Sequence, residues 1–292
     1  MGRKFFQVDV FTDRAFGGNP LAVFPDPEGL KEPDHQSIAR EMNLSETTFI
    51  YPPESLGADH KIRIFTPGKE IPFAGHPTLG TAHILWETGK LDRKQDTVVL
   101  EMGVGLIKVT QEKMGLFMEQ LLPDFGATYE AVDQVAAALS LDPGKIDSRF
   151  PIQIVSTGFP ALYVPLTDLA ALQRVELNLP VLKEVLGNVD MIYVFSGETL
   201  NPQSTVHSRA FAPFIGIPED PATGSAAGAL GAYLVRYKVI QGLDTGNIVI
   251  EQGYEIHRPS EIHVHVTEAE GEIQSVQVGG QSRTVLEGNL WI

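Results

Sequence analysis

The chain has 292 residues, 43% of them apolar, enough to fill one large or two medium cores. Its formal net charge of −15 argues against a general binder of nucleic acid or anionic membrane, because such partners repel an acidic surface. There is no cysteine, which excludes disulfide frameworks, cysteine-based zinc sites and thiolate nucleophiles, and no apolar run is long enough to span a membrane. A soluble cytoplasmic protein, with neither nucleic acid nor membrane as partner, is the expectation.

In chain order, Phe5–Phe11 alternates apolar residues with Gln7 and Asp9 and so reads as a strand, Phe6–Val10, rather than a signal peptide. Asp34–Met42 is a helix candidate. It leads into Asn43-Leu44-Ser45-Glu46-Thr47-Thr48-Phe49-Ile50, where Glu46 taken alone reads as an ordinary exposed loop glutamate. Alternation predicts strands over Lys61–Phe65, Val98–Glu101 and Leu106–Val109. Further on it predicts Pro151–Val155, Met191–Phe195, Val206–Phe211, Ile248–Glu251 and Ile262–Val266. Thr78–Glu87 and Ala222–Tyr237 are apolar or small nearly all round, the pattern of helices buried on every side. The polar stretch Pro123–Thr128 reads as a crossover.

The chain also repeats itself. Arg63-Ile-Phe65-Thr-Pro67, with Pro72 beyond, matches Arg209-Ala-Phe211-Ala-Pro213, with Pro218 beyond, at one offset of 146 residues. His76-Pro77-Thr78-Leu79-Gly80-Thr81-Ala82 matches Asp220-Pro221-Ala222-Thr223-Gly224-Ser225-Ala226 at 144, and Gly18-Asn19-Pro20 matches Gly158-Phe159-Pro160 at 140. Echoes in one order near half the chain length imply two similar halves. The expected fold is α+β: two pseudo-symmetric halves, each a rolled, mainly antiparallel sheet around a central buried helix. Residues 1–125 form the first half and 126–281 the second, with strand 282–292 expected to return to the first.

Both buried helices open alike: a titratable residue (His76 or Asp220), a proline, two residues, then glycine and a hydroxyl (Thr81 or Ser225). First-turn N–H groups lack intrahelical partners and carry partial positive charge, so they attract anions. In a two-fold repeat such ends are expected to face one cleft, suited to a carboxylate-bearing substrate. The plainer alternative makes Asp220 an N-cap and His76 a turn residue.

Three segments, Asn43-Leu44-Ser45-Glu46-Thr47, Phe73-Ala74-Gly75-His76-Pro77 and Glu219-Asp220-Pro221-Ala222-Thr223-Gly224-Ser225-Ala226, resemble the signatures of the phenazine-biosynthesis isomerase (PhzF) family. Gly18-Asn19-Pro20 near the start and Glu251-Gln252-Gly253 with Arg258-Pro259-Ser260 near the end extend the resemblance over essentially the whole chain. His257 stands where the family usually has glycine, which bears on the local turn. The resemblance implies a diaminopimelate epimerase-like fold, often paired as homodimers, and an isomerase without cofactor or metal. It implies that Glu46 moves a proton between carbons of a cyclic, carboxylated, dihydro-hydroxyanthranilate-like substrate. His76 and Asp220 would assist as catalytic groups, with Ser45, Gly75, Gly224 and Ser225 holding the substrate.

The lack of cysteine excludes the two-thiol mechanism of epimerases of this fold. An amino-acid epimerase using His76 or Asp220 as second base stays open, as does a non-catalytic binding protein on the same fold. His263 and His265, two apart on a strand, are expected on an exposed face rather than on a metal. No Gly-x-Gly-x-x-Gly follows a strand and no Gly-x-Ser-x-Gly is present, so nucleotide-binding and hydrolase readings lack support.

Overall fold

The computed structural model describes residues 2–92 and 94–292. The chain divides into two compact units, one comprising the segment up to Glu119 together with Gly279–Ile292, the other Gln120–Val278.

The first unit runs β1 (Gly2–Val10), β2 (Asn19–Phe24), α1 (Glu32–Met42), β3 (Glu46–Tyr51), β4 (His60–Phe65), β5 (Glu70–Ile71), α2 (Gly75–Glu87), β6 (Thr97–Met102), β7 (Gly105–Glu112) and β8 (Gly115–Glu119). β1 pairs antiparallel with β2, β2 parallel with β3, β3 antiparallel with β4, β4 parallel with β6, and β6 antiparallel with β7. Each parallel step needs a crossover, and α1 and α2 supply them. α1 buries Ile38 and Ala39 against Phe24, Phe49 and Phe65 on one side of the sheet. α2 takes the other side, touching β1, β2, β3, β7 and β8, and is buried from Gly75 through Ala82. Its Gly80 admits the close approach: a Cβ there would lie 2.7 Å from Leu21 and 2.8 Å from Val10.

The second unit runs β9 (Asp124–Thr128), α3 (Val132–Ala138), β10 (Gln153–Ser156), β11 (Ala161–Pro165), α4 (Leu169–Gln173), α5 (Leu179–Leu186), β12 (Ile192–Ser196), β13 (Val206–Ala212), β14 (Ile217–Asp220), α6 (Gly224–Tyr237), β15 (Ile248–Gln252), β16 (Ser260–Ala269) and β17 (Glu272–Gly280), which leads out of it. From β10 the pairings repeat the same series: antiparallel to β11, parallel to β12, antiparallel to β13, parallel to β15, antiparallel to β16. Strand alternation sorts the faces. Leu162, Val164, Ile192 and Val194 meet the apolar side chains of α3, α4 and α5. Tyr163 and Phe195 point the other way, their rings 6.2 and 5.5 Å from Tyr233 of α6. The last strand, β18 (Ser282–Trp291), pairs with β1 from Gly2↔Trp291 to Val10↔Ser282.

The Arg-x-Phe repeat has one meaning in both units. Arg63 forks onto Glu70 with two bonds of 2.7 Å and lies over the Phe65 ring. Arg209 forks onto Glu219 at 2.9 and 2.8 Å and lies over Phe211. The expected α+β class, with a rolled sheet about a buried helix in each half, is borne out. Two details differ. Pro123–Thr128 is mostly strand β9, paired with β10, rather than a bare crossover. α2 begins at Gly75, so Pro77 lies inside its first turn, whereas α6 begins at Gly224, leaving Pro221 ahead of its N-cap Thr223.

Candidate active site

Glu46 is the first residue of β3, in register with Leu21 of the parallel β2. Its side chain is not in an exposed loop, as its local sequence suggested: the residue is 8% exposed, and α2 covers it. His76, the second residue of α2 and 7% exposed, sets Nε2 3.1 Å from Glu46 Oε2. The register of helix on strand is held two residues further along β3, where the hydroxyls of Thr48 and Thr81 lie 2.8 Å apart in the core. Neither Glu46 Oε2 nor His76 Nε2 makes a well-aligned hydrogen bond, although both atoms are shut off from water. Buried polar atoms are nearly always satisfied, so a facing pair left unsatisfied needs a reason, and a reactive site is one.

Ser45, just ahead of Glu46, donates its hydroxyl to Asn19 Oδ1 at 3.0 Å, tying the start of β3 to the start of β2. Gly75 opens α2 behind Ala74, whose side chain supplies no cap, so the first-turn N–H groups face the same end as His76. The structure thus brings together Glu46, His76, Ser45 and Gly75 in the first unit.

In the second unit it brings together Asp220, Gly224 and Ser225. Asp220 closes β14 and is 7% exposed. It is not the N-cap of α6: that position is Thr223, three residues on, whose hydroxyl donates back to Asp220 Oδ2. Gly224 and Ser225 form the first turn, their carbonyls accepting from Gln120 Nε2 at 3.0 Å and Thr157 Oγ1 at 3.2 Å.

A second ionic cluster escaped the sequence reading. His207 of β13 is fully buried, with Nδ1 2.6 Å from Glu251 and Nε2 3.0 Å from Glu255. Burial alone would lower its pKa, but the two carboxylates, Glu251 foremost, hold it up at about 9. Glu251 also accepts from the N–H groups of Leu200 and Asn201, fastening their loop. The signal was a charged residue in each of two apolar strands, and only strand pairing, which sets His207 opposite Glu251, reveals it.

His263 corrects another expectation. It is 3% exposed rather than on an open face, with Nε2 3.0 Å from Glu261. Among the described residues no group of three or more His, Asp or Glu is arranged to hold a metal, and no helix is long and apolar enough to cross a membrane.

The family model described as phenazine biosynthesis-like protein (PhzC-PhzF) matches residues 8–288. A trans-2,3-dihydro-3-hydroxyanthranilate isomerase of Pseudomonas aeruginosa is 35% identical across 99% of this chain and 99% of its own. An uncharacterised isomerase of Mesorhizobium japonicum is likewise 35% identical, with 99% of each chain covered. The crystal structure of a PhzF-family phenazine biosynthesis protein from Bacillus anthracis matches at a TM-score of 0.91 and 30% identity, covering 100% of both chains. With full-length relatives of this kind and its rolled-sheet halves, the chain is an isomerase of the diaminopimelate epimerase-like fold. It belongs to the PhzF family, as the order of its signature segments had indicated.

Proposed function

We propose that this isomerase moves a proton between carbons of a small, cyclic, carboxylated substrate of the dihydro-hydroxyanthranilate kind, with Glu46 as its acid–base group and no cofactor. The observation that carries this reading is the buried, unsatisfied pair of Glu46 and His76 at 3.1 Å. A carboxylate shut off from water meets the substrate C–H without competing solvent, and the neighbouring imidazole keeps it aimed. The carboxylate takes the proton, and the C–H electrons become a new double bond. The existing double bond shifts and takes the proton back from the glutamic acid at its far carbon. Electrons balance without oxidant or reductant. The likeness to the Pseudomonas aeruginosa enzyme supports the substrate class.

Asp220 is proposed as a second group of the same reaction, with Ser45, Gly75, Gly224 and Ser225 holding substrate. If so, His76→Ala and Asp220→Ala each lower turnover, and the double variant loses less than the two losses multiplied. The reading is tested by following trans-2,3-dihydro-3-hydroxyanthranilate with the protein in deuterated water by NMR. A displaced double bond, with at most one deuterium at the accepting carbon, supports isomerisation. An inverted centre with the double bond in place indicates an epimerase instead, and unchanged acid overturns this substrate assignment.

A further inference from the structure

We infer that Thr223, itself held by Gln252, is a positioning residue for the Asp220 carboxylate; the inference rests on the reading that Asp220 serves the reaction. The direction of each bond follows from counting. Gln252 is fully buried, and its carboxamide has two N–H donors and an oxygen that accepts twice. Nε2 donates to the Asp220 carbonyl at 2.7 Å and to Thr223 Oγ1 at 2.9 Å. Oε1 accepts from the Tyr193 hydroxyl at 2.9 Å and from the Thr223 N–H at 3.3 Å. All four capacities are used.

Because Thr223 Oγ1 already accepts from Gln252, its own proton is left to point elsewhere, and it points at Asp220 Oδ2. A buried side chain on the neighbouring β15 thereby fixes the polarity of a hydroxyl, and the hydroxyl fixes one oxygen of the carboxylate. The same Gln252 pins the backbone carbonyl of Asp220, so both ends of that residue are set by one amide. Thr223 does not cap the helix with its side chain, although it sits at the N-cap. An N-cap threonine oxygen ordinarily accepts from a first-turn N–H; here it accepts from Gln252, and the hydroxyl proton goes back to Asp220. Chains of such bonds in a dry interior strengthen one another, and positioning within a fraction of an ångström is what proton-transfer geometry requires.

Thr223→Val keeps shape and removes the hydroxyl; Thr223→Ser keeps the hydroxyl and serves as rescue. Crystal structures of the two, without substrate, are expected to show the Asp220 carboxylate turned in the valine variant and in place in the serine variant. An unmoved carboxylate in Thr223→Val overturns the inference whether or not a substrate is known. On trans-2,3-dihydro-3-hydroxyanthranilate, kcat of Thr223→Val is expected to fall about tenfold with KM little changed, and Thr223→Ser to restore it. Introduced into Asp220→Asn, Thr223→Val is expected to add no further loss. An independent, multiplied loss contradicts action through Asp220. Wild-type turnover by Asp220→Asn instead removes the role of Asp220, a different failure. Should the valine variant not fold, Gln252→Glu replaces the donor facing Thr223 with an acceptor and is expected to draw the hydroxyl off Asp220, lowering kcat likewise; unchanged kcat contradicts the inference.

Discussion

His207 shows at the scale of one side chain how burial and charge are reconciled. Its imidazolium lies between Glu251 and Glu255, and its pKa stands above the ordinary histidine value, at about 9. Its contribution is therefore fully present below about pH 6.5 and lost as pH rises through 9, on the order of 3 kcal/mol in all. The pKa values of Glu251 and Glu255 lie below the ordinary carboxylate value: burial opposes this, but the His207 bond outweighs it. Their contribution is present above that range and lost on acidification. Urea denaturation across pH is expected to show stability falling from pH 6.5 to 9 in the wild type. In His207→Gln that alkaline limb should flatten, with stability at pH 6 lower by about 3 kcal/mol; an unaltered limb assigns the dependence elsewhere. His257 explains its own oddity: it has φ 59°, the left-handed region, where glycine pays no steric penalty. His257→Val is expected to lower stability by about 1–2 kcal/mol and His257→Gly not to lower it, measured by thermal melts. Neither the burial of Glu46 nor the charge pairing of His207 was legible locally. The first comes from α2 lying over β3, the second from a strand 44 residues away.

Among the elements, the two central helices were the most legible, because a helix with no polar face has to be enclosed. Their starts were less so. His76 and Asp220 match in sequence, yet one lies inside α2 and the other ahead of α6, since Thr223 rather than Asp220 takes the N-cap. Strand β2 escaped the alternation rule because Leu21-Ala22-Val23-Phe24 is buried on both faces, between α1 on one side and α2 on the other. The small residues of α2 have a measurable consequence. At an exposed helical site Gly→Ala stabilises by about 1 kcal/mol. At Gly80 the new methyl would meet Leu21 and Val10 well inside contact distance, and overpacking of this kind typically costs about 1–3 kcal/mol. Gly80→Ala is therefore expected to lower the urea midpoint, and a raised midpoint would contradict the close packing of α2 on β1 and β2.

At the scale of the whole molecule, the repeat was legible because each copy of Arg-x-Phe carries the same bonds, Arg63 to Glu70 and Arg209 to Glu219. β18 supplies the antiparallel neighbour of β1 that β9 supplies to β10. Deleting residues 282–292 exposes the edge of β1, and hydrogen exchange of the β1 amides is expected to quicken by tenfold or more, with aggregation at the bared edge. The proposed function rests at this scale on one carboxylate. Glu46→Gln keeps size and hydrogen-bonding capacity but cannot take a proton. Turnover of trans-2,3-dihydro-3-hydroxyanthranilate by this variant, measured beside wild type, is expected to fall by about a thousandfold or more with the melting temperature nearly unchanged. A folded Glu46→Gln protein that keeps a tenth of wild-type turnover would contradict proton transfer by Glu46.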